Sequence, residues 1–157
     1  MAVMIGLDVG DARIGVAASD PSRFLATPVE VIHRKDGAPA AKTAAVARLR
    51  GADAVVLGLP RNMDGSEGPQ ARNVRSFAGQ LAAAFAADGL GPVELLFWDE
   101  RMSTRQARRM LIESGAGKKR RAEPVDALAA AVILQAYLDH LRARPAGAAP
   151  APTEGRP

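Results

Sequence analysis

The sequence predicts an α/β fold: a mixed five-stranded sheet, three antiparallel strands followed by parallel strands, flanked by helices. Short apolar runs over residues 3–9, 54–59 and 93–98 have the length of strands and are too short for helices. Between the later runs lie segments with helical spacing of apolar residues, so those strands are joined by crossovers and pair in parallel. The first 33 residues instead hold three strand-like runs separated only by turn chemistry, which is the pattern of antiparallel pairing.

Taken in order, VMIGLDV over 3–9 is an apolar strand interrupted by one charge, Asp8, and Gly10 and Asp11 supply the turn. Residues 13–19 return as a second strand, and Phe24 to His33 forms a third that ends at the turn ArgLysAspGly. Helix formers fill 38–50 before the buried strand Ala54–Leu59. After the polar loop in 60–68, Pro69 opens a helix whose Val74, Phe77, Ala78, Leu81 and Phe85 share one face. Val93–Trp98 is the last strand of the set. Ser103 and Gln106 have the spacing of a capping box for a helix to about Glu113. SGAGKKRRA over 114–122 reads as a loop, and a last helix runs from about Glu123 to Leu141 with Val125, Leu128, Ala129, Val132, Ile133 and Ala136 toward the core. Residues 1–142 thus form one domain with an RNase H-like layout, and 143–157, rich in Pro, Ala and Gly, form a tail without regular structure.

Composition removes several chemistries. The chain of 157 residues has no cysteine, which excludes disulfides, thiolate nucleophiles and zinc sites built on sulfur. His33 and His140 stand alone, without a second histidine at metal-ligand spacing, so neither a serine–histidine triad nor a histidine metal site is expected. No apolar run approaches the roughly 20 residues that span a bilayer, and residues 1–7 lack the features of a secretory signal, so a cytoplasmic chain with no membrane partner is the expectation. A net charge of +4 and a pI near 10.1 suit a polyanionic partner.

What remains is oxygen chemistry. Asp8 lies in an apolar strand, where a carboxylate is costly unless it faces a cation, a polar cleft or backbone donors; capping the turn at Gly10 and Asp11 is the structural alternative. Glu100 follows the last strand at its carboxyl end, where open sheets place their ligand crevices, although Asp99, Glu100 and Arg101 also read as a solvated cluster. Asp126 stands in the first turn of the last helix, where an acid also serves the helix dipole. The topology brings these three together, and converging carboxylates repel unless cations intervene. Oxygen ligands without histidine or cysteine favour Mg²⁺ or Mn²⁺, and two such ions together hydrolyse phosphodiesters. Arg101, Arg105, Arg108, Arg109, Lys118, Lys119, Arg120 and Arg121 supply the charge to track a nucleic-acid backbone, RNA or structured DNA; a solvated charged face is the alternative. Aromatic residues are 4% of the chain and none falls in this stretch, which argues for backbone or shape recognition rather than base stacking.

Four segments, GLDVGDARIGVAASDP from Gly6, VVLGLPRNMDGSEG from Val55, DERMST from Asp99 and GKKRRAEPVDALAAAVILQAYLD from Gly117, resemble the YqgF family, also called RuvX. The resemblance extends to Asp139 and implies an RNase H-like fold related to the RuvC Holliday-junction resolvases, with nuclease activity in maturing the precursor of 16S rRNA. It places the acidic, metal-binding site at Asp8, Glu100 and Asp126, and adds Arg13, Asn62, Arg101 and Ser103 as site or substrate contacts. Three positions depart from the family pattern: Asp11 stands where threonine is usual, Ala127 where many members have lysine, and Arg61 where an apolar residue is commoner. A sugar-kinase or actin-like phosphotransferase also begins with DxG after a first strand, but this chain supplies one domain and no GxxxxGK[ST] loop. A protein that binds nucleic acid without cutting it, and either a monomer or a homodimer, are compatible with the same residues.

Overall fold

The computed structural model describes residues 2–102, 125–143 and 153–154. Strands β1 (Val3–Val9), β2 (Arg13–Ser19) and β3 (Ala26–His33) are followed by helix α1 (Pro39–Leu49), strand β4 (Ala52–Leu59), helix α2 (Pro69–Asp88) and strand β5 (Glu94–Asp99). Helix α3 (Val125–Ala143) and a two-residue strand β6 (Thr153–Glu154) complete the described elements. The sheet order is β3-β2-β1-β4-β5-β6. β1, β2 and β3 pair antiparallel, whereas β1–β4 and β4–β5 are parallel, as the alternation of strands and crossovers predicts.

Alternation along each strand gives the sheet two apolar faces, and each is covered by helix. Ile5, Leu7 and Val9 of β1, with Val55, Leu57 and Leu59 of β4, face α1 and α2, where Val74, Phe77, Ala78, Leu81 and Phe85 are buried as their spacing predicts. α2 starts with Pro69 at its first turn and ends at Gly89, whose φ of 65° makes the left-handed cap that favours glycine. Met4, Ala17, Ala54, Val56 and Trp98 face the other way, against Ala130, Ile133, Leu134, Tyr137 and Leu138 of α3. The candidate acids discussed below lie toward this second face.

Several boundaries and one helix face differ from the sequence expectation. β3 begins at Ala26 rather than Phe24, because the Asp20 carboxylate accepts the Phe24 and Leu25 amides at 2.8 Å each and turns those residues outward, 63% and 60% exposed. In α3 the sheet-facing residues are Ala130, Ile133, Leu134, Tyr137 and Leu138, while Leu128, Ala129 and Ala136 are only half-buried. The helix is apolar almost all round, so periodicity alone did not select a face; docking onto glycines of the sheet did. Of the expected tail, Ala143 closes α3 and Thr153–Glu154 pair antiparallel with Trp98 and Phe97, a sixth strand too short to leave a signal in sequence. The helix expected from Ser103 and the loop over 114–122 lie outside the described residues.

Candidate active site

The first carboxylate is set by strand parity. Asp8 follows Met4 and Gly6 on the α3 face of β1, half-buried, and its direct partner across the β1–β2 ladder is Gly15. Gly15 has no side chain because α3 arrives there: a Cβ on Gly15 would lie 1.8 Å from the carbonyl oxygen of Asp126. Gly6 has the same function two pairs along, opposite Ala17, since its Cβ would lie 2.6 Å from Cβ of Leu134 and 3.0 Å from the Ala130 carbonyl oxygen. Two glycines in neighbouring strands therefore let the helix backbone rest on the sheet and bring Asp126, in its first turn, beside the Asp8–Gly15 pair.

The third acid arrives from β5. Register aligns Leu7 with Leu57, which puts Gly58 next along β4 beside Asp8. Glu100 begins the 3₁₀ turn Glu100–Met102 after β5, and a Cβ on Gly58 would lie 2.6 Å from its Oε1 and 2.6 Å from Cδ1 of Ile133. The Glu100 carboxylate thus lies over Gly58, between the carboxyl end of β4 and α3. Asp8, Glu100 and Asp126 share one sheet face at the carboxyl ends of β1 and β4 and the amino end of α3, where the helix dipole also favours negative charge. Among the described residues, however, no three acids or histidines are already gathered as a ready-made metal cage. Asp126 instead pairs with Arg13, Nε to Oδ2 at 3.0 Å, and both side chains remain partly open to solvent.

A latch holds the turn that follows Asp8. The Gly10 amide donates to the Arg13 carbonyl at 2.8 Å, and a Cβ on Gly10 would meet that same oxygen at 2.8 Å. Arg34 donates from Nε to the Gly10 carbonyl at 3.0 Å and from Nη2 to Asn73 Oδ1 at 3.3 Å, while Asn73 Nδ2 lies 3.4 Å from Asp11 Oδ1. Asp11 is thereby engaged by α2. Neither Arg34 nor Asn73 was singled out in the sequence, because nothing local to them marks a partner 24 or 63 residues away. Ala127, a second of the three departures, is buried.

The polar loop 60–68 closes the other side. Asn62 and Ser66 exchange a backbone bond and a side-chain bond, both 2.9 Å, and Asp64 accepts from the Ser66 amide and hydroxyl, which holds the Asp64 carboxyl below its ordinary range. The Asn62 amide group, expected as a substrate contact, is thus used within the loop. Asp99 accepts from Arg101 through Nε and Nη2 and from the Arg101 amide, and this pairing holds its carboxyl low. Arg101 Nη1 reaches the carbonyls of Asn62 and Met63 at 3.4 and 3.3 Å. Of the expected cluster Asp99–Glu100–Arg101, the flanking residues pair with each other and Glu100 turns to Gly58. Ser103, Lys118 and Lys119, with the rest of the basic stretch, lie outside the described residues.

Residues 2–140 match the family described as RuvX, Holliday junction resolvase. The chain belongs to the RuvX family. A RuvX relative in Ruegeria pomeroyi, named "Putative pre-16S rRNA nuclease", is 49% identical over 140 residues, 88% of this chain and 87% of that protein. One of the same name in Paracoccus denitrificans is 49% identical over 138 residues, 87% of this chain and 84% of its own. Among solved structures, RuvC of Thermus thermophilus in complex with a Holliday junction substrate superposes with a TM-score of 0.61 over 90% of this chain and 96% of that one, at 18% identity. That likeness establishes the RNase H-like fold. Family and relatives together make this RuvX chain a nuclease, an enzyme that cleaves phosphodiester bonds.

Proposed function

We propose that this RuvX chain is a divalent-metal-dependent nuclease of the cytoplasm that matures the precursor of 16S rRNA, with Asp8, Glu100 and Asp126 as its metal ligands. The observation that supports the reading is the placement of Asp8, Glu100 and Asp126 at one end of the same sheet face beside positions without side chains, Gly15 next to the Asp126 backbone and Gly58 beneath the Glu100 carboxylate. Carboxylate oxygens alone form a donor set for hard cations, Mg²⁺ or Mn²⁺, and Asp126 already pairs with one cation, the Arg13 guanidinium. A pair of such ions supplies an activated water and charge to stabilise the leaving oxygen of a phosphodiester.

The chain's own residues do the rest. Asp8 is held by the β1–β2 ladder and the latched turn at Gly10, so its carboxylate is oriented before substrate arrives. Asp126 is placed by the seat of α3 on Gly15 and would be one of the groups to hold a metal, and Arg13, half-exposed beside it, is a candidate to meet a substrate phosphate. Lys118 and Lys119 belong to the same proposal as backbone contacts in the basic stretch. The substrate assignment rests on the names of the relatives. Their family description favours a second substrate, the four-way DNA junction.

Cleavage of end-labelled precursor 16S rRNA fragments, single-stranded DNA and a four-way junction, with Mg²⁺, Mn²⁺ or EDTA, tests both. Cutting of the RNA that requires metal and falls by a factor on the order of a thousand or more in Asp8→Asn is the expected result. Cutting confined to the junction transfers the activity to DNA, and binding without cutting on every substrate overturns the nuclease.

A further inference from the structure

Arg101 adjoins Glu100 in sequence and carries a charge that suits a phosphate, yet each of its three guanidinium nitrogens donates inside the protein. Nε and Nη2 go to Asp99, Nη2 at 2.7 Å, and Nη1 goes to the Asn62 and Met63 carbonyls. Bidentate pairing of this kind uses the flat fork of arginine to fix geometry as well as charge.

The same cluster continues beyond Arg101. Arg61, at the start of the loop, reaches Glu67 at 3.6 Å and Asp99 at 3.9 Å, and donates to the Gly65 carbonyl at 3.4 Å. Glu67, at the loop's end, accepts two bonds of 2.6 Å from Arg75 of α2, whose guanidinium lies 4.9 Å over the ring of Phe97 in β5. Arg75, Glu67, Arg61, Asp99 and Arg101 thus alternate in sign from α2 through the loop to the end of β5. With Asp64, which interacts electrostatically with Arg101, three guanidinium groups face three carboxylates among the described residues. A balanced cluster is a poor attractor for a polyanion and a good strut.

We propose that Arg101, locked by Asp99, is a clamp that fixes loop 60–68 beside Glu100, and that its charge is committed to the loop rather than to a substrate phosphate. Asp99 and Arg101 are then positioning residues, and Glu67 and Arg75 anchor the far end of the same loop. The proposal deepens the nuclease reading and depends on it for its catalytic consequence, though not for the clamp. Met63, 98% exposed at the loop tip, is held at a constant place next to the site by this device.

The test uses the full chain with Asp99→Asn, Arg101→Lys, their double variant and Arg101→Ala, each checked for folding by its circular dichroism and melting profile. Amide hydrogen exchange over residues 62–66 is read first, without substrate. The clamp requires exchange there to quicken on the order of tenfold in both single variants, because lysine keeps the charge and loses the fork, and to quicken no further in the double. Binding of a structured RNA hairpin in EDTA is read second, as the slope of log K against log salt. A clamp leaves that slope unchanged in Arg101→Ala, whereas a phosphate contact lowers it by about 1 and makes Asp99→Asn, with its arginine set free, bind more tightly. Unchanged exchange in Asp99→Asn, or that lowered slope with tighter binding, overturns the clamp. If wild type cuts no substrate while the loop still loosens in both variants, the nuclease reading has failed and the clamp has not.

Discussion

Asp20 shows how a single half-buried side chain sets a strand boundary. Its carboxylate accepts the amides of Leu25 and Phe24 and the hydroxyl of Ser22, and these bonds, that of Leu25 foremost, lower its pKa from 3.8 to about 2. A depressed carboxylate stabilises its turn above the unfolded value and loses that contribution as pH falls through the folded one. The turn over 20–25 is therefore expected to hold at pH 4 and to open between about pH 4 and 2. Amide proton shifts of Phe24 and Leu25 followed by NMR through that range should titrate together with a midpoint near 2, and an Asp20→Asn variant should show no such step. A midpoint at the ordinary aspartate value would mean that the turn is not held by this carboxylate.

At the scale of elements, the decisive event is the docking of α3 on the sheet. Gly6 and Gly15 are the seats, and a methyl group at Gly15 meets the Asp126 carbonyl at 1.8 Å, backbone that cannot turn aside as a side chain can. Gly15→Ala is expected to lift the amino end of α3, destabilise the chain by about 3 kcal/mol and remove activity with it. Gly79→Ala is the control: it lies exposed within α2 with nothing within 4 Å of the added carbon, and should stabilise by about 0.5–1 kcal/mol through the lost freedom of the unfolded chain. Urea midpoints at unchanged slope would read both. Equal midpoints for Gly15→Ala and wild type would show that the helix does not rest where the geometry puts it.

For the molecule as a whole, the acids of the proposed site come from three distant parts of the chain, so metal binding there should stabilise the folded state that assembles them. At a hundredfold excess over its Kd, Mn²⁺ adds about 2.7 kcal/mol, roughly 5–10 °C in Tm for a chain of this size. A melting curve with and without Mn²⁺ should show that rise in wild type and lose most of it in Asp8→Asn. The same rise in both proteins would take Asp8 out of the metal site.

Sequence alone determined the order of the five main strands, the two crossover helices and the core face of α2, and it nominated the three acids, because each is written locally: in strand-length apolar runs, in helical spacing, and in a charge set inside or just after an apolar strand. The family followed from motifs that are equally local. Tertiary structure decided which side of α3 meets the sheet, since an almost uniformly apolar helix carries no periodic signal and the choice fell to Gly6 and Gly15. It also decided the partners of Arg101, Asp99, Arg34 and Asn73. Charges and amides far apart in sequence say only that they need partners; the sheet register and the path of loop 60–68 say which ones they find.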